Sequence, residues 1–365
     1  MSNIFARSPY FINISATAND ETSIKLYIWN GTGSAPANPQ YTLSKPIPSS
    51  VDTDVDYNIS PYICEYFDFK TFQTNVNYNT ASATNTSQWC NVQAKTYING
   101  LLQNTYDYKA FYGYSHFSEG YNEDLGTVHM DGGTYYYYYD STGTLSTTDR
   151  INVGSIQVVT GASNYTKYKW TNLDTLATST SNFPVNDDVR KFPRIDPTYY
   201  GDRVKTEVLD PSNNVLATFY FYPLEECKHD VITVDFVNRY GSFERTFMFK
   251  ASRNNMEMTQ TDYNLMVSNV NYDTKVGTKK VFNTTYTESI SCNTGWVSES
   301  YAKVIKQLMS SERILAYIPN EDGTYVQTPV KMRTKATELF KHINEKLINY
   351  KVEFDYAFET INNVQ

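Results

Sequence analysis

Cysteine and histidine are scarce in this 365-residue chain, with four of each. Cys64, Cys90, Cys227 and Cys292 stand far apart and form no CxxC pair, so they build no disulfide framework and are expected to be buried thiols. His116, His129, His229 and His342 form neither HxH nor HExxH. The pairs His116/Glu119 and His342/Glu345 lack the second histidine of a zinc motif and read as chance spacing. Cys227 and His229, beside Glu225, Glu226 and Asp230, make the most metal-like cluster, but no second pair of soft ligands follows at zinc-finger spacing. A solvated polar turn is expected there, and no metal. The chain also lacks GxSxG, P-loop, GxGxxG and kinase signatures. Asp131-Gly132-Gly133 and Asn320-Glu321-Asp322-Gly323 have neither the oxygen ladder nor the closing Glu of a calcium loop. Nothing singles out two carboxylates as a glycosidase pair. The expectation is a protein that is not an enzyme, with no catalytic residues and no cofactor.

Long apolar runs are missing as well: no stretch approaches the roughly 18 apolar residues of a membrane span. The opening MSNIFARSPYFI has neither the apolar core nor the small-residue cleavage site of a secretory signal, so synthesis and folding in a cytoplasm are expected. No block of Lys or Arg stands out, and the formal net charge is −8 with pI near 5.1. Nucleic-acid binding, sequence-specific or not, is therefore not expected, because it draws on a dense positive surface.

What the chain has instead is aromatic and small polar residues. Tyrosine occurs 33 times and phenylalanine 19 times, and Asn, Thr and Ser fill the polar positions. Tyr, Phe and Thr favour strands, while Asn and Ser favour turns. The fold class expected is mainly β: several small antiparallel sandwich or sheet domains, with one or two short α-helices in the C-terminal half. Residues 1–60 read as a first β-sandwich-like unit, with a strand at Ile24–Trp29 and a loop from Gly31 to Gln40. Residues 61–223 form a Tyr/Asn/Thr-rich middle region. Within it Ile63, Tyr66 and Phe67 suit one helical face, Thr74 to Ser87 suits an exposed loop, and Asn99-Gly100 is the strongest hairpin signal. Residues 224–365 form a C-terminal β domain with a helix near 299–310. Ser298 is its expected N-cap, and Tyr301, Val304, Ile305, Leu308 and Met309 recur at helical spacing. Met256 to Asn271 and Lys279 to Ser291 read as strands, and Ile348, Tyr350, Val352, Phe354, Tyr356 and Phe358 mark the cleanest one. Leu339, Phe340, Ile343 and Leu347 fit either a short helix or a loop.

Two stretches carry the candidate contacts. In VITVDFVNRYGSFERTFMF, Ile232, Val234 and Phe236 alternate against Thr233 and Asp235, as in a half-buried strand. Asn238-Arg239-Tyr240-Gly241-Ser242 then turns the chain, and the alternation resumes through Phe249. Arg239 and Tyr240 at the tip are candidates for a protein contact rather than for chemistry. The second stretch is Tyr135, Tyr136, Tyr137, Tyr138 and Tyr139, flanked by turns. As a strand it places hydroxyphenyl groups on both faces, which leaves open burial within the chain, a subunit interface or a sugar-stacking platform.

Short phrases at both ends and in the centre carry a resemblance. IFARSPYFI (Ile4 to Ile12), KLYIWNGTG (Lys25 to Gly33), YTLSK (Tyr41 to Lys45), FVNRYGSFERTFMF (Phe236 to Phe249) and the region of NTGWVSESYAKVIKQLMSSERILAY (Asn293 to Tyr317) resemble virion structural proteins. The group they resemble is that of the crAss-like, short-tailed phages of Bacteroides-type hosts. Residues from about 70 to 225 lie outside the likeness. The resemblance implies a tail or collar component of the virion, assembled in the host cytoplasm. It would form a homo-oligomeric ring below the portal and contact other tail and portal proteins. An adhesin that binds host-surface carbohydrate through stacked tyrosines is the alternative, and a glycan-degrading enzyme a distant third.

Overall fold

The computed structural model describes residues 2–30, 33–47, 53–67, 89–122, 128–129, 132–138, 156–159, 167–182, 189–192, 195, 197–210, 212–226, 228–241, 243–266, 270, 272–319, 324–337 and 347–358. The chain forms two compact units. The first comprises Met1–Glu225 with Val237–Thr246, and the second Glu226–Phe236 with Phe247–Gln365. The fold is mainly β, as expected.

The strands of the first unit are β1 (Ser2–Phe5), β2 (Phe11–Ser15), β3 (Glu21–Trp29), β4 (Tyr41–Pro46) and β5 (Asp54–Asn58). After helix α1 (Ser60–Tyr66) come β6 (Trp89–Ile98), β7 (Leu101–Phe111), β8 (Val128–His129), β9 (Gly133–Tyr138) and β10 (Ile156–Val159). The series closes with β11 (Lys167–Asn172), β12 (Thr178–Asn182), β13 (Val189–Phe192), β14 (Val204–Leu209) and β15 (Val215–Leu224). Two five-stranded sheets, β1-β7-β6-β3-β4 and β12-β11-β14-β15-β9, are accompanied by the triplet β13-β10-β8 and the pair β2-β5. The strands of residues 1–60 thus do not close a sheet alone, because β6 hydrogen-bonds to the side of β3 opposite β4.

Register explains how the first sheet buries one face. Leu26 lies opposite Ala94 and Ile28 opposite Val92, and all four are buried. Burying each large aliphatic side chain contributes about 1.5–3 kcal/mol. The other face sets Lys25 opposite Lys95, a like-charge pair that would repel on its own. Each ammonium instead sits over a ring, Lys25 over Tyr97 at 4.6 Å and Lys95 over Tyr27 at 4.7 Å. The β6–β7 turn uses Asn99 at φ 49° and Gly100 at φ 80°, the left-handed pair that a two-residue hairpin of matching twist needs.

Helix α1 sits where Ile63 and its neighbours suggested a helical face, with a proline in its first turn and Ile63 buried. It stands in addition to the one or two short helices expected in the C-terminal half. Cys64 donates its S–H to the carbonyl of Ala6 at 2.8 Å, and Cys90 is a buried thiol.

The second unit contains β16 (Ile232–Val237), β17 (Phe243–Met248), β18 (Lys250–Asn264), β19 (Lys279–Ser298), helix α2 (Ala302–Met309), β20 (Ile314–Pro319), β21 (Tyr325–Met332) and β22 (Leu347–Tyr356). Val237 and Phe243–Thr246, at the ends of β16 and β17, belong to the first unit. The sheet runs β17-β16-β20-β21-β22-β19-β18. The helix expected near 299–310 is a 3-10 turn, Glu299–Tyr301, running into α2, with Tyr301, Val304, Ile305 and Leu308 buried. Ser298 does not cap it, since its hydroxyl meets that of Ser300 at 2.8 Å instead. In β22, Ile348, Tyr350, Val352 and Phe354 are all buried. Cys292 is buried in β19, and desolvation pushes its thiol up to about 12. β16 differs from the half-buried strand expected: all six of its residues are buried, Thr233 and Asp235 included, so both faces are covered. Leu347 opens β22, while Leu339, Phe340, Ile343 and the stretch Thr74 to Ser87 lie outside the described residues.

Candidate assembly surfaces

The turn Asn238–Gly241 is built by its own asparagine. Asn238 Oδ1 accepts the N–H of Tyr240 at 3.0 Å, its carbonyl accepts that of Gly241 at 3.0 Å, and its Nδ2 donates to Glu244 at 3.2 Å. Gly241 takes φ +77°, and a Cβ there would stand 2.7 Å from the backbone of Tyr112. Only glycine permits both the left-handed conformation and the approach. Gly113 repeats the arrangement from the other side, where a Cβ would lie 2.5 Å from the Arg239 carbonyl.

Arg239 and Tyr240 are 8 % and 5 % exposed, which corrects the outward-facing tip expected from the sequence. The reason is that the tip is packed within the first unit. The Arg239 carbonyl accepts the N–H of Tyr114 at 2.8 Å, and its Nε donates to the Tyr114 carbonyl at 3.3 Å. Its guanidinium forms an ion pair with Glu119. Tyr240 packs with Phe5, Trp89 and Phe111, its ring 6.2 Å from that of Phe5. Both residues hold the tip in place inside the unit. Glu119 also accepts the backbone N–H of His116 at 2.6 Å, so the His116/Glu119 spacing is the capping of a short 3-10 turn. Burial works against the charge on Glu119, but the His116 N–H and the Arg239 guanidinium outweigh it and hold the carboxyl below its ordinary range.

The tyrosine run forms β9, parallel to β15 at the edge of its sheet. Tyr135 and Tyr137 are buried, Tyr136 and Tyr138 are half-buried, and Tyr139 lies outside the described residues. Tyr135 stacks on Phe221 at 5.8 Å, and Tyr136 lies 5.7 Å from Tyr222. The Tyr137 hydroxyl donates to the Asp202 carbonyl at 3.0 Å and accepts the N–H of Gly201 at 3.1 Å. Alternate tyrosines are therefore anchored within the unit, which leaves Tyr136 and Tyr138 as the partly accessible pair. Tyr137→Phe is expected to lower stability by about 1 kcal/mol through the lost hydroxyl, read as an earlier urea midpoint with an unchanged slope.

A surface that the sequence reading passed over is the ribbon of β18 and β19. β22 accompanies β19 only over Ser289–Ser298. Beyond that, Met256–Asn264 pairs with Lys279–Glu288. Nine strand residues extend this ribbon by roughly 30 Å. Met258 lies opposite Tyr286 and Asp262 opposite Val281, with Met256 two residues before Met258 on the same face. The same face sets Glu288 opposite Met256 and Thr284 opposite Gln260, and Met256 and Met258 are 59 % and 51 % exposed. The opposite face carries Glu257, Thr259, Thr261, Thr285 and Thr287. At the root Arg333 holds Glu257 at 2.8 Å and Asp355 at 3.2 Å. The alternation of Met256 and Met258 with Glu257 and Thr259 was legible in the sequence; the missing cover was not.

No three His, Cys, Asp or Glu side chains converge as a metal site among the described residues. In the polar turn at 225–230, Glu226 accepts from Lys250 at 2.6 Å and from the Lys228 N–H at 2.9 Å, and Cys227 lies outside the described residues. No helix is long and apolar enough to cross a membrane. No protein-family model matches the chain, and no curated protein matches it.

Proposed function

We propose that this chain is a structural subunit of a phage virion, a tail or collar component that forms a ring below the portal and acts through protein–protein interfaces. The observation that carries the reading is the β18–β19 ribbon, an amphipathic two-stranded projection whose Met256/Met258 face is left in water. Large apolar side chains exposed together on one strand face are the mark of a contact surface. The resemblance of its short phrases to virion proteins of crAss-like phages points the same way. Tyr136 and Tyr138 on β9 are a second candidate contact, since half-buried tyrosine supplies interface area at low entropic cost.

The test is the mass of the purified protein in solution, alone and mixed with the portal and tail proteins of its phage. Rings or a stable co-complex are the expected result. A monomer or trimer that ignores those proteins and binds purified capsular glycan would overturn the proposal in favour of an adhesin.

A further inference from the structure

Exposed apolar side chains crowd the far end of the β18–β19 hairpin. Among the described residues 21 large hydrophobic side chains are exposed, and ten of them fall between Met256 and Phe282. Toward the turn they include Leu265, Met266, Val270, Tyr272, Val276 and Phe282, with Met266 and Val270 at 91 % and 94 % exposure. The turn that carries them is built by its own backbone. β18 and β19 stay paired as far as Asn264 and Lys279, and the Leu265 N–H then donates to the Thr278 carbonyl at 2.6 Å. The Asp273 carboxylate accepts the N–H of Lys275 at 2.9 Å, and its carbonyl accepts that of Val276 at 3.1 Å.

Two properties of this tip indicate what it fits. The apolar positions do not keep to one face or one arm. Leu265 and Met266 are consecutive at the end of one arm, and Val276 and Phe282 lie on the returning one. A protein groove takes an apolar strand by one face, whereas a tip apolar on both arms suits a medium that closes around it, as hydrocarbon does. Cations also gather at this end. Glu257, opposite Thr287, and Glu288, opposite Met256, lie toward the root. From Asp262 to Phe282 the three cations Lys275, Lys279 and Lys280 stand against the two acids Asp262 and Asp273, a net +1 in a chain of net −8. All three lysines are exposed. Such side chains lay their stems along apolar surface and keep the ammonium at the level of lipid headgroups.

We propose that the tip of this hairpin inserts into the interface of a phospholipid bilayer. Met266, Val270 and Tyr272 enter the acyl boundary, and Lys275, Lys279 and Lys280 meet the headgroups. Insertion of this kind is shallow, about 5–10 Å, and its strength grows with buried apolar area and with attraction to anionic lipid. The ladder up to Asn264 and Lys279 already satisfies backbone groups that lipid could not. Tyrosine suits the boundary because its ring is apolar and its hydroxyl stays wet. This goes beyond the assembly role proposed above, since affinity for lipid belongs to the single chain.

Flotation of the whole chain with phosphatidylcholine vesicles, with and without phosphatidylglycerol, tests it. The wild type should bind both, and more tightly with phosphatidylglycerol at low salt. Met266→Asp/Val270→Asp should weaken binding to both at least about tenfold, a factor worth about 1.4 kcal/mol. Its thermal midpoint should not move, because both side chains already stand almost wholly in water. Lys279→Glu/Lys280→Glu should remove the preference for phosphatidylglycerol and keep binding to phosphatidylcholine. In Tyr272→Trp, brominated acyl chains should quench more fluorescence than they do in the wild type. A wild type that does not float, or binding that survives Met266→Asp/Val270→Asp, would overturn the insertion. Binding confined to phosphatidylglycerol and abolished by salt would reduce it to surface attraction and overturn it too. If the wild type ignores vesicles and Met266→Asp/Val270→Asp abolishes its self-association, the tip docks on a second copy instead. The virion role is judged separately: a wild type that floats but joins no portal or tail protein keeps the insertion and loses that role.

Discussion

Gly241→Ala should destabilise the first unit by about 3 kcal/mol, one of the largest effects of a single methyl group expected in this protein. Two costs add. At φ +77° an L-residue pays roughly 1–2 kcal/mol for the left-handed conformation. The new Cβ would also stand 2.7 Å from the C and N atoms of Tyr112, which are backbone and cannot swing away as a side chain would. Gly100→Ala is the matched control, since it shares a positive φ, +80°, but has open space around its Cβ. It should cost about 1 kcal/mol. For a unit of this size, 3 kcal/mol corresponds to a thermal midpoint lowered by roughly 6–12 °C. Equal losses in the two variants would show that the Tyr112 backbone yields and that the tip is not closely seated.

Arg239→Ala should cost about 2 kcal/mol, because it removes a buried side chain that donates to Tyr114 and pairs with the exposed Glu119. The effect has a pH signature. Glu119 has its carboxyl held below the ordinary range in the folded unit, so its contribution to stability is full above the unfolded pKa of about 4.3. It is lost as pH falls through the lower folded value, where the unfolded chain already binds the proton. In Arg239→Ala the folded carboxyl moves back toward its ordinary range, and that part of the acid dependence flattens. Urea titrations of wild type, Arg239→Ala, Glu119→Ala and the double variant at pH 7 give the coupling energy, expected at about 1–3 kcal/mol. A coupling near zero, with unchanged acid dependence, would mean the pair contributes nothing to seating the tip.

The two variants together bear on how the central hairpin works. Its residues suggested strands separated by a tight turn, and that is what forms. Its ends were read as a surface feature because Arg and Tyr at a polar turn usually face water or a partner. In this chain Gly113 and Gly241 remove the side chains that would hold the turn away, and Glu119 supplies the counter-charge. No local pattern announces that, since Glu119 lies 120 residues from Arg239.

The features legible along the chain are local and periodic. Alternation in β3 and β22, Asn99-Gly100 at a two-residue turn, and the apolar spacing of α2 all depend on neighbours within a few residues, so they could be read directly. The mainly β class follows from the same features summed over the chain. The candidate contacts depend on which faces find cover, and that is decided by strands far apart in sequence. Tyr135 and Tyr137 are covered while Tyr136 and Tyr138 are only half-covered, because β9 joins β15, some eighty residues away, at a sheet edge. The alternation of Met256 and Met258 looks like that of any core strand until the structure shows both side chains more than half exposed. Burial is a property of the sheet as a whole, and only the tertiary structure could decide which of these apolar faces the chain itself covers.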